Sequence, residues 1–263
     1  MNIQLSNKNA LVCGSSAGIG KASAILLAQS GANVTLFARN EDKLKDVLAQ
    51  LDTTKGQKHD YIVADFFNAA SVENAIQDSL QKTAKAYHIL INNTGGPAAG
   101  LAIDAKEADF IQAFNNHLIC NHILVKALVP GMKQNQYGRI INIISTSVKA
   151  PLHGLGVSNT IRGAVASWAK TLANELGQFN ITVNNVLPGA TATERLEAII
   201  NNKSTKANKS VDEISTEMIN EVPMKRFAEA NEIAQAVCFL ASDMASYING
   251  INLPVDGGRT ASL

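Results

Sequence analysis

Two groups of residues in this chain have the types and spacing for chemistry. The first is Gly14-Ser15-Ser16-Ala17-Gly18-Ile19-Gly20, which follows a short apolar run and opens a helix-period segment. Glycines let a backbone turn sharply and approach a pyrophosphate, and a helix N-terminus offers it free N–H groups and positive potential. In this place after a strand, the turn reads as a dinucleotide site. Arg39, in Ala38-Arg39-Asn40 at the end of the next apolar run, bears on which dinucleotide. An acid there would accept hydrogen bonds from the adenosine ribose and repel a 2′-phosphate, whereas a guanidinium pairs with that phosphate. The expected cofactor is NADP(H) rather than NAD(H); the alternative is that Arg39 only solvates a strand end. The second group is Ser158-Asn159-Thr160-Ile161-Arg162, in which Ser158 and Arg162 stand one helical turn apart on one face.

The elements that must position these groups follow from the apolar pattern. Short apolar runs at 10–13, 34–37, 61–64, 89–91, 139–144, 181–187 and 251–255 read as strands. Helix-period segments separate them, including 22–29, a charged helix from about Asn40, 157–176 and 231–241. Gly31 can cap the first helix, Ser71 is a plausible N-cap, and Asp104-Ala105-Lys106-Glu107 has capping-box spacing for the next. Near-continuous apolar strands between helices mean a parallel sheet covered on both faces. The expected fold is a single α/β domain over residues 1–263, Rossmann-like and doubly wound. Residues 194–221 break the rhythm, being polar and rich in Asn, Lys and Ser; they read as weak helices or a lid beside the site, or as a solvated insertion.

Composition bounds the function. Hydrophobic residues make up 46% of the 263 positions, enough for a full core, and the 5% aromatic share makes that core aliphatic. A net charge of +1 gives no reason to expect nucleic acid or an anionic membrane surface. Cys13, Cys120 and Cys238 form neither a disulfide framework nor a metal-binding pattern, and they suit packing in a reducing compartment. No apolar run approaches the roughly 18 residues of a membrane span, so a cytoplasmic protein without metal is expected.

The spaced glycines, Asp65 after the third strand and Asn92-Asn93-Thr94-Gly95 after the fourth resemble the classical short-chain dehydrogenase/reductase family. Asn185-Val186-Leu187-Pro188-Gly189 and Asp256-Gly257-Gly258 match as well, so the resemblance, to 3-oxoacyl-carrier-protein reductase-like members, runs from about Lys8 to Gly258. It implies that Asp65 lies by the adenine and that Asn92, Thr94 and Gly95 line the cofactor trough. It implies that Pro188, Gly189 and Thr193 meet the nicotinamide end and the pyrophosphate, and that the protein is a homotetramer or homodimer. Cys13 stands where the family usually has threonine.

The family transfers hydride at the nicotinamide while a tyrosine exchanges a proton with the substrate oxygen, a lysine lowers the tyrosine pKa, and a serine polarises that oxygen. Ser145 fits the polarising serine, its spacing to Ser158 being the family's; it could instead satisfy a strand-end backbone group. Ser158 and Arg162 replace the tyrosine and the lysine. Ser158, a far weaker acid than a phenol, leaves a small space or binds a water. Arg162 can still donate to the nicotinamide ribose hydroxyls that the family's lysine holds and keep the site positive. The family's relay asparagine falls on His117, with Asn116 the candidate if the alignment slips by one residue. An imidazole there, or at His153, could move protons near neutral pH, or could be a packed side chain.

Three functions fit. The first is NADP(H)-dependent reduction of a keto substrate, 3-oxoacyl among the options, with an altered proton donor. The second is NADP(H) binding without catalysis, as a sensor or assembly partner. The third is reduction of an activated C=C bond in an acyl thioester. Lys203, Lys206 and Lys209 read as a solvated face.

Overall fold

Alternation within each apolar run decides which way the strands face. In β1 (Asn9–Cys13), Ala10 and Val12 enter one core cluster while Leu11 and Cys13 enter the other. A strand apolar on both sides must be covered on both sides, and helices do this. The computed structural model describes residues 3–83 and 85–262. From β1 the chain runs through α1 (Gly18–Gln29), β2 (Asn33–Ala38), α2 (Glu41–Leu48), β3 (Asp60–Val63), α3 (Ala69–Thr83) and β4 (Ile89–Asn92). It continues through α4 (Glu107–Phe114), α5 (Cys120–Gln134), β5 (Gly138–Ile143), α6 (Gly156–Leu176) and β6 (Ile181–Pro188). Two-residue strands β7 (Thr191–Ala192) and β8 (Ala228–Glu229) bracket α7 (Glu194–Ala207) and α8 (Val211–Asn220); α9 (Ala230–Ala241) and β9 (Asn252–Val255) complete the chain.

The main sheet is parallel, in the order β3-β2-β1-β4-β5-β6-β9. One face packs against Leu27 of α1, Leu44 of α2 and Val237 of α9, the other against Ile76 of α3, Leu128 of α5 and Leu172 of α6. This is the doubly wound, Rossmann-like arrangement. Its order reverses between β1 and β4, and the crevice beyond those strand ends is where such sheets take ligands. All three cysteines are buried and free. Among the described residues no helix is long and apolar enough to cross a membrane.

Local chemistry moves some expected boundaries. Asn40 caps α2, accepting the Lys43 N–H at 2.9 Å, and Gly31 turns with φ +100° after α1. Ser71 does not cap α3: Asn68 does, its Oδ1 accepting from Ala70 and Ser71 N–H at 3.1 and 3.3 Å. Asp104 ends a short 3₁₀ turn, and α4 opens one residue after Lys106, whose N–H donates to Asp109 at 3.1 Å. Residues 194–221 hold the helices α7 and α8, joined by a small cluster of Leu196, Ile200, Ile214 and Met218.

A ladder of buried amides ties the strands nearest the site. Asn92 Nδ2 donates to Asn142 Oδ1 at 2.8 Å, Asn142 to Asn185 at 2.9 Å, and Asn185 to Asn252 at 2.8 Å. Paired amides in a dry sheet tolerate little relative movement, because each slip leaves a polar group unsatisfied. The strand ends that carry the site are thereby fixed against one another.

Candidate active site

The glycine-rich turn needs its glycines for separate reasons. Gly14 has φ +58° and Gly18 φ +54°, a region that costs other residues strain. A Cβ on Gly20 would stand 2.1 Å from the Gly14 carbonyl oxygen, so only glycine lets α1 start this close to β1. Ala17 at the N-cap gives no side-chain hydrogen bond and the first turn holds no acid, which leaves the helix N–H groups open to an anion. Asn93 clamps the turn, donating to Cys13 and Gly14 carbonyls at 3.4 Å each. A backbone cradle of this shape, with open N–H donors and glycines at its closest approaches, fits a dinucleotide pyrophosphate.

One cavity of about 1370 Å³ runs from this turn to the end of β5. Gly14, Ser16, Gly18, Ile19, Arg39, Asp65, Thr94, Gly95, Pro188, Gly189 and Thr193 line one part of it, and Ser145, His153, Ser158 and Arg162 line the other. A smaller depression beside it is lined by Arg39, Asn40, Asp65 and Ser71. Arg39 is exposed there, its guanidinium 6.0 Å from the ring of Phe67.

Four expected site residues stand elsewhere. The Ser15 hydroxyl is buried and accepts the Phe37 N–H at 2.9 Å, bracing the turn from behind. Gly20 is likewise buried behind it. Asn92 does not line the trough, because its amide is spent in the ladder; its neighbour Asn93 faces the cavity instead. His117 is the largest correction. The chain between α4 and α5 widens into a π turn at Asn115–Ile119, which turns Asn116 and His117 inward. His117 is 2% exposed and does not line the cavity. Burial first, then the charges of Arg162 and Arg195, push its pKa down to about 2, so it carries no second proton to give. Asn116 is no substitute: it is buried, does not line the cavity, and its Oδ1 accepts from Gln112 Nε2 at 2.7 Å.

This buried, neutral imidazole should make the protein less stable in acid. Between about pH 6.5 and 2 the unfolded chain binds a proton at His117 that the folded chain does not, so stability falls as pH drops and is complete above about pH 7. By pH 5 the loss is about 2 kcal/mol. Urea midpoints of wild type and His117→Gln at pH 7.5 and 5 check this: the variant should lose about 2 kcal/mol less on acidification.

The catalytic end is built on β5 and α6. Ser145 has an extended backbone, and its Oγ accepts the Ser147 N–H at 3.1 Å, which leaves its own hydrogen free to donate into the cavity. Ser158 is half-buried in the cavity wall. Asn159 pins the loop before it, donating to the Leu152 carbonyl at 2.8 Å, and Gly156 lets α6 begin against Ala102. Arg162 is buried; its Nη1 donates to the Ile143 carbonyl at 3.1 Å and its Nε has no partner. Arg195 was not singled out by the sequence. It reaches across from the first turn of α7, donating through Nη2 to the Pro97 carbonyl at 2.6 Å. Lys203 and Lys206 also line the cavity, while Lys209 is paired with Glu217.

Known proteins resemble this chain over nearly its whole length. A family model described as enoyl-(acyl carrier protein) reductase matches residues 14–260. The NADPH-dependent reductase BacG of Bacillus subtilis is 29% identical over 259 residues, 98% of this chain and all of its own. The 3-oxoacyl-(acyl-carrier-protein) reductase FabG of Vibrio cholerae is 34% identical over 259 residues, 97% of this chain and 98% of its own. The solved structure of L-sorbose reductase from Gluconobacter frateurii, complexed with NADPH and L-sorbose, aligns at a TM-score of 0.93 and 30% identity over 100% of both chains.

Proposed function

Since the chain belongs to the short-chain dehydrogenase/reductase family, we propose that it is an NADP(H)-dependent reductase of a keto substrate, working without the family's tyrosine. The observation that carries this reading is the single cavity joining the glycine cradle to the Ser145 hydroxyl. BacG is NADPH-dependent and L-sorbose reductase is complexed with NADPH, and the free guanidinium of Arg39 suits the same 2′-phosphate.

The turn at 14–20 and the first N–H groups of α1 would hold the pyrophosphate, and Asp65, Thr94, Gly95, Pro188, Gly189 and Thr193, which line the same cavity, would enclose the rest. When bound, the nicotinamide supplies the hydride that reduces the carbonyl carbon. Ser145 donates its hydroxyl hydrogen to the carbonyl oxygen and so holds it where negative charge develops. Arg162 keeps that end of the cavity positive. Ser158 contributes space and a hydroxyl but is too weak an acid to replace a phenol, so the proton on the product alcohol comes from solvent. Over the substrate end of this single Rossmann-like unit, α7 and α8 form the cover.

Two titrations test the reading. NADPH should bind, and it should be consumed against a panel of ketones; binding with no consumption would leave a cofactor-binding protein. Consumption only with enoyl thioesters would move the reaction to a C=C bond. In Arg39→Ala, NADPH affinity should fall about 10- to 150-fold, the worth of a charge-assisted bond of about 1.5–3 kcal/mol, while NADH affinity changes less than about threefold. Equal losses for both nucleotides would count against the 2′-phosphate role.

A further inference from the structure

Arg162 and Arg195 converge on one point of the cavity. A Cβ placed on Gly96 would stand 3.4 Å from Arg195 Nη2 and 3.7 Å from Arg162 Nη2. Both residues line the cavity, and Arg162 is only 8% exposed. No carboxylate balances them: among the described residues neither enters an ion pair. The acids that share the cavity are engaged elsewhere or stand apart, Glu194 against Lys43 and Glu221 against Arg259. Burial and the Arg195 charge together push the Arg162 pKa down to about 10, and partial desolvation lowers that of Arg195. His117, on which both charges act, is neutral.

Two guanidinium groups facing each other, one buried with an unsatisfied Nε, are costly unless an anion joins them. Ribose hydroxyls of a dinucleotide could meet the free N–H groups, but they are neutral and leave the two charges opposed. The pyrophosphate already has the backbone cradle at 14–20. What remains is the substrate. Arg162 is anchored on the carbonyl of Ile143, two residues before Ser145, so an anion held by the pair lies on the same strand end as the hydroxyl that grips the carbonyl oxygen.

We propose that Arg162 and Arg195 form a carboxylate clamp, so that the ketone this protein takes is an oxo acid whose carboxylate lies one or two carbons from the carbonyl. The clamp rests on the reductase reading above and names its substrate class. Planar guanidinium forks match carboxylate oxygens two by two, and a lysine in the place of Arg162 would offer only a point charge. The replacement of the family's lysine then has a purpose in recognition.

The test uses protein saturated with NADP⁺, which cannot reduce the ligand, titrated calorimetrically with pyruvate and acetoacetate and with their methyl esters. The acids should bind at least tenfold more tightly than the esters. Arg195→Gln should erase that preference, weakening the acids about tenfold or more and leaving the esters unchanged, while its NADP⁺ affinity moves less than about threefold. Equal binding of acids and esters overturns the clamp. So does a parallel loss of NADP⁺ affinity in Arg195→Gln, which would assign the pair to the pyrophosphate. If wild-type protein fails to bind NADP⁺, the reductase reading falls, and the same acid-against-ester comparison on cofactor-free protein decides the clamp by itself.

Discussion

Ser158→Tyr should raise ketone turnover with NADPH by about 10²- to 10⁴-fold, the usual worth of a positioned general acid. Residue 158 lines the cavity that also holds Ser145, and a cavity of about 1370 Å³ has room for the ring. Arg162 stands one turn along the same face, and a cation there favours the phenolate and brings the phenol pKa down from its ordinary value near 10. The gain should therefore carry its own pH signature. Reduction needs the protonated phenol, so the variant's rate should fall as pH rises through the lowered phenol pKa. Wild type should show no such limb between about pH 6 and 9, because His117 stays neutral and Arg162 stays charged through that range. Ser158→Phe is the control: the same ring without the hydroxyl should give no gain. A Ser158→Tyr variant no faster than wild type, with an unchanged profile, would mean that another group already delivers the proton.

How far the sequence could be read depended on whether a residue's partner was near it in the chain. Strand and helix positions come from short apolar runs and from the 3.6-residue period, which are local, and the doubly wound class follows from their alternation. The glycine-rich turn is local too, and its glycines prove to be needed for φ and for close approach. Sequence spacing does not report which way a side chain points. Ser15 and Asn92 belong to motifs around the cavity, yet each faces inward, held by Phe37 in one case and by Asn142 in the other. At His117 the sequence leaves a proton-moving and a packed imidazole open, and a π turn together with two arginines from distant segments decides for the packed, neutral one. Arg195 was hidden altogether, lying in a polar segment that resembles a solvated insertion and meeting Pro97 across 98 residues. Its place in the turn right after Thr193, a residue singled out for the cofactor, was the only available signal.

Gly20→Ala should abolish cofactor binding and destabilise the fold together, a combination that separates architecture from recognition. The added Cβ would lie 2.1 Å from the Gly14 carbonyl oxygen, 2.7 Å from its carbon and 2.8 Å from Asn93 Nδ2. Two of these three atoms are backbone, so no flexible side chain can give way. Gly14 cannot retreat cheaply either: its N–H donates to the Phe37 carbonyl at 2.8 Å, and its carbonyl accepts from Asn93. The first turn of α1 must move away from β1, which opens the cradle that holds the pyrophosphate and strips contacts from the core beneath. Loss of about 3 kcal/mol or more in urea unfolding is expected, at the upper end for a single substitution. NADPH affinity should fall more than about 100-fold. Gly163→Ala supplies the contrast, because that glycine is exposed within α6 and a Cβ there meets nothing within 4 Å. It should stabilise by about 0.5–1 kcal/mol through helix propensity alone. If Gly20→Ala unfolds and binds like wild type, the approach of α1 to β1 is looser than the cradle requires, and the pyrophosphate must be held mainly by side chains.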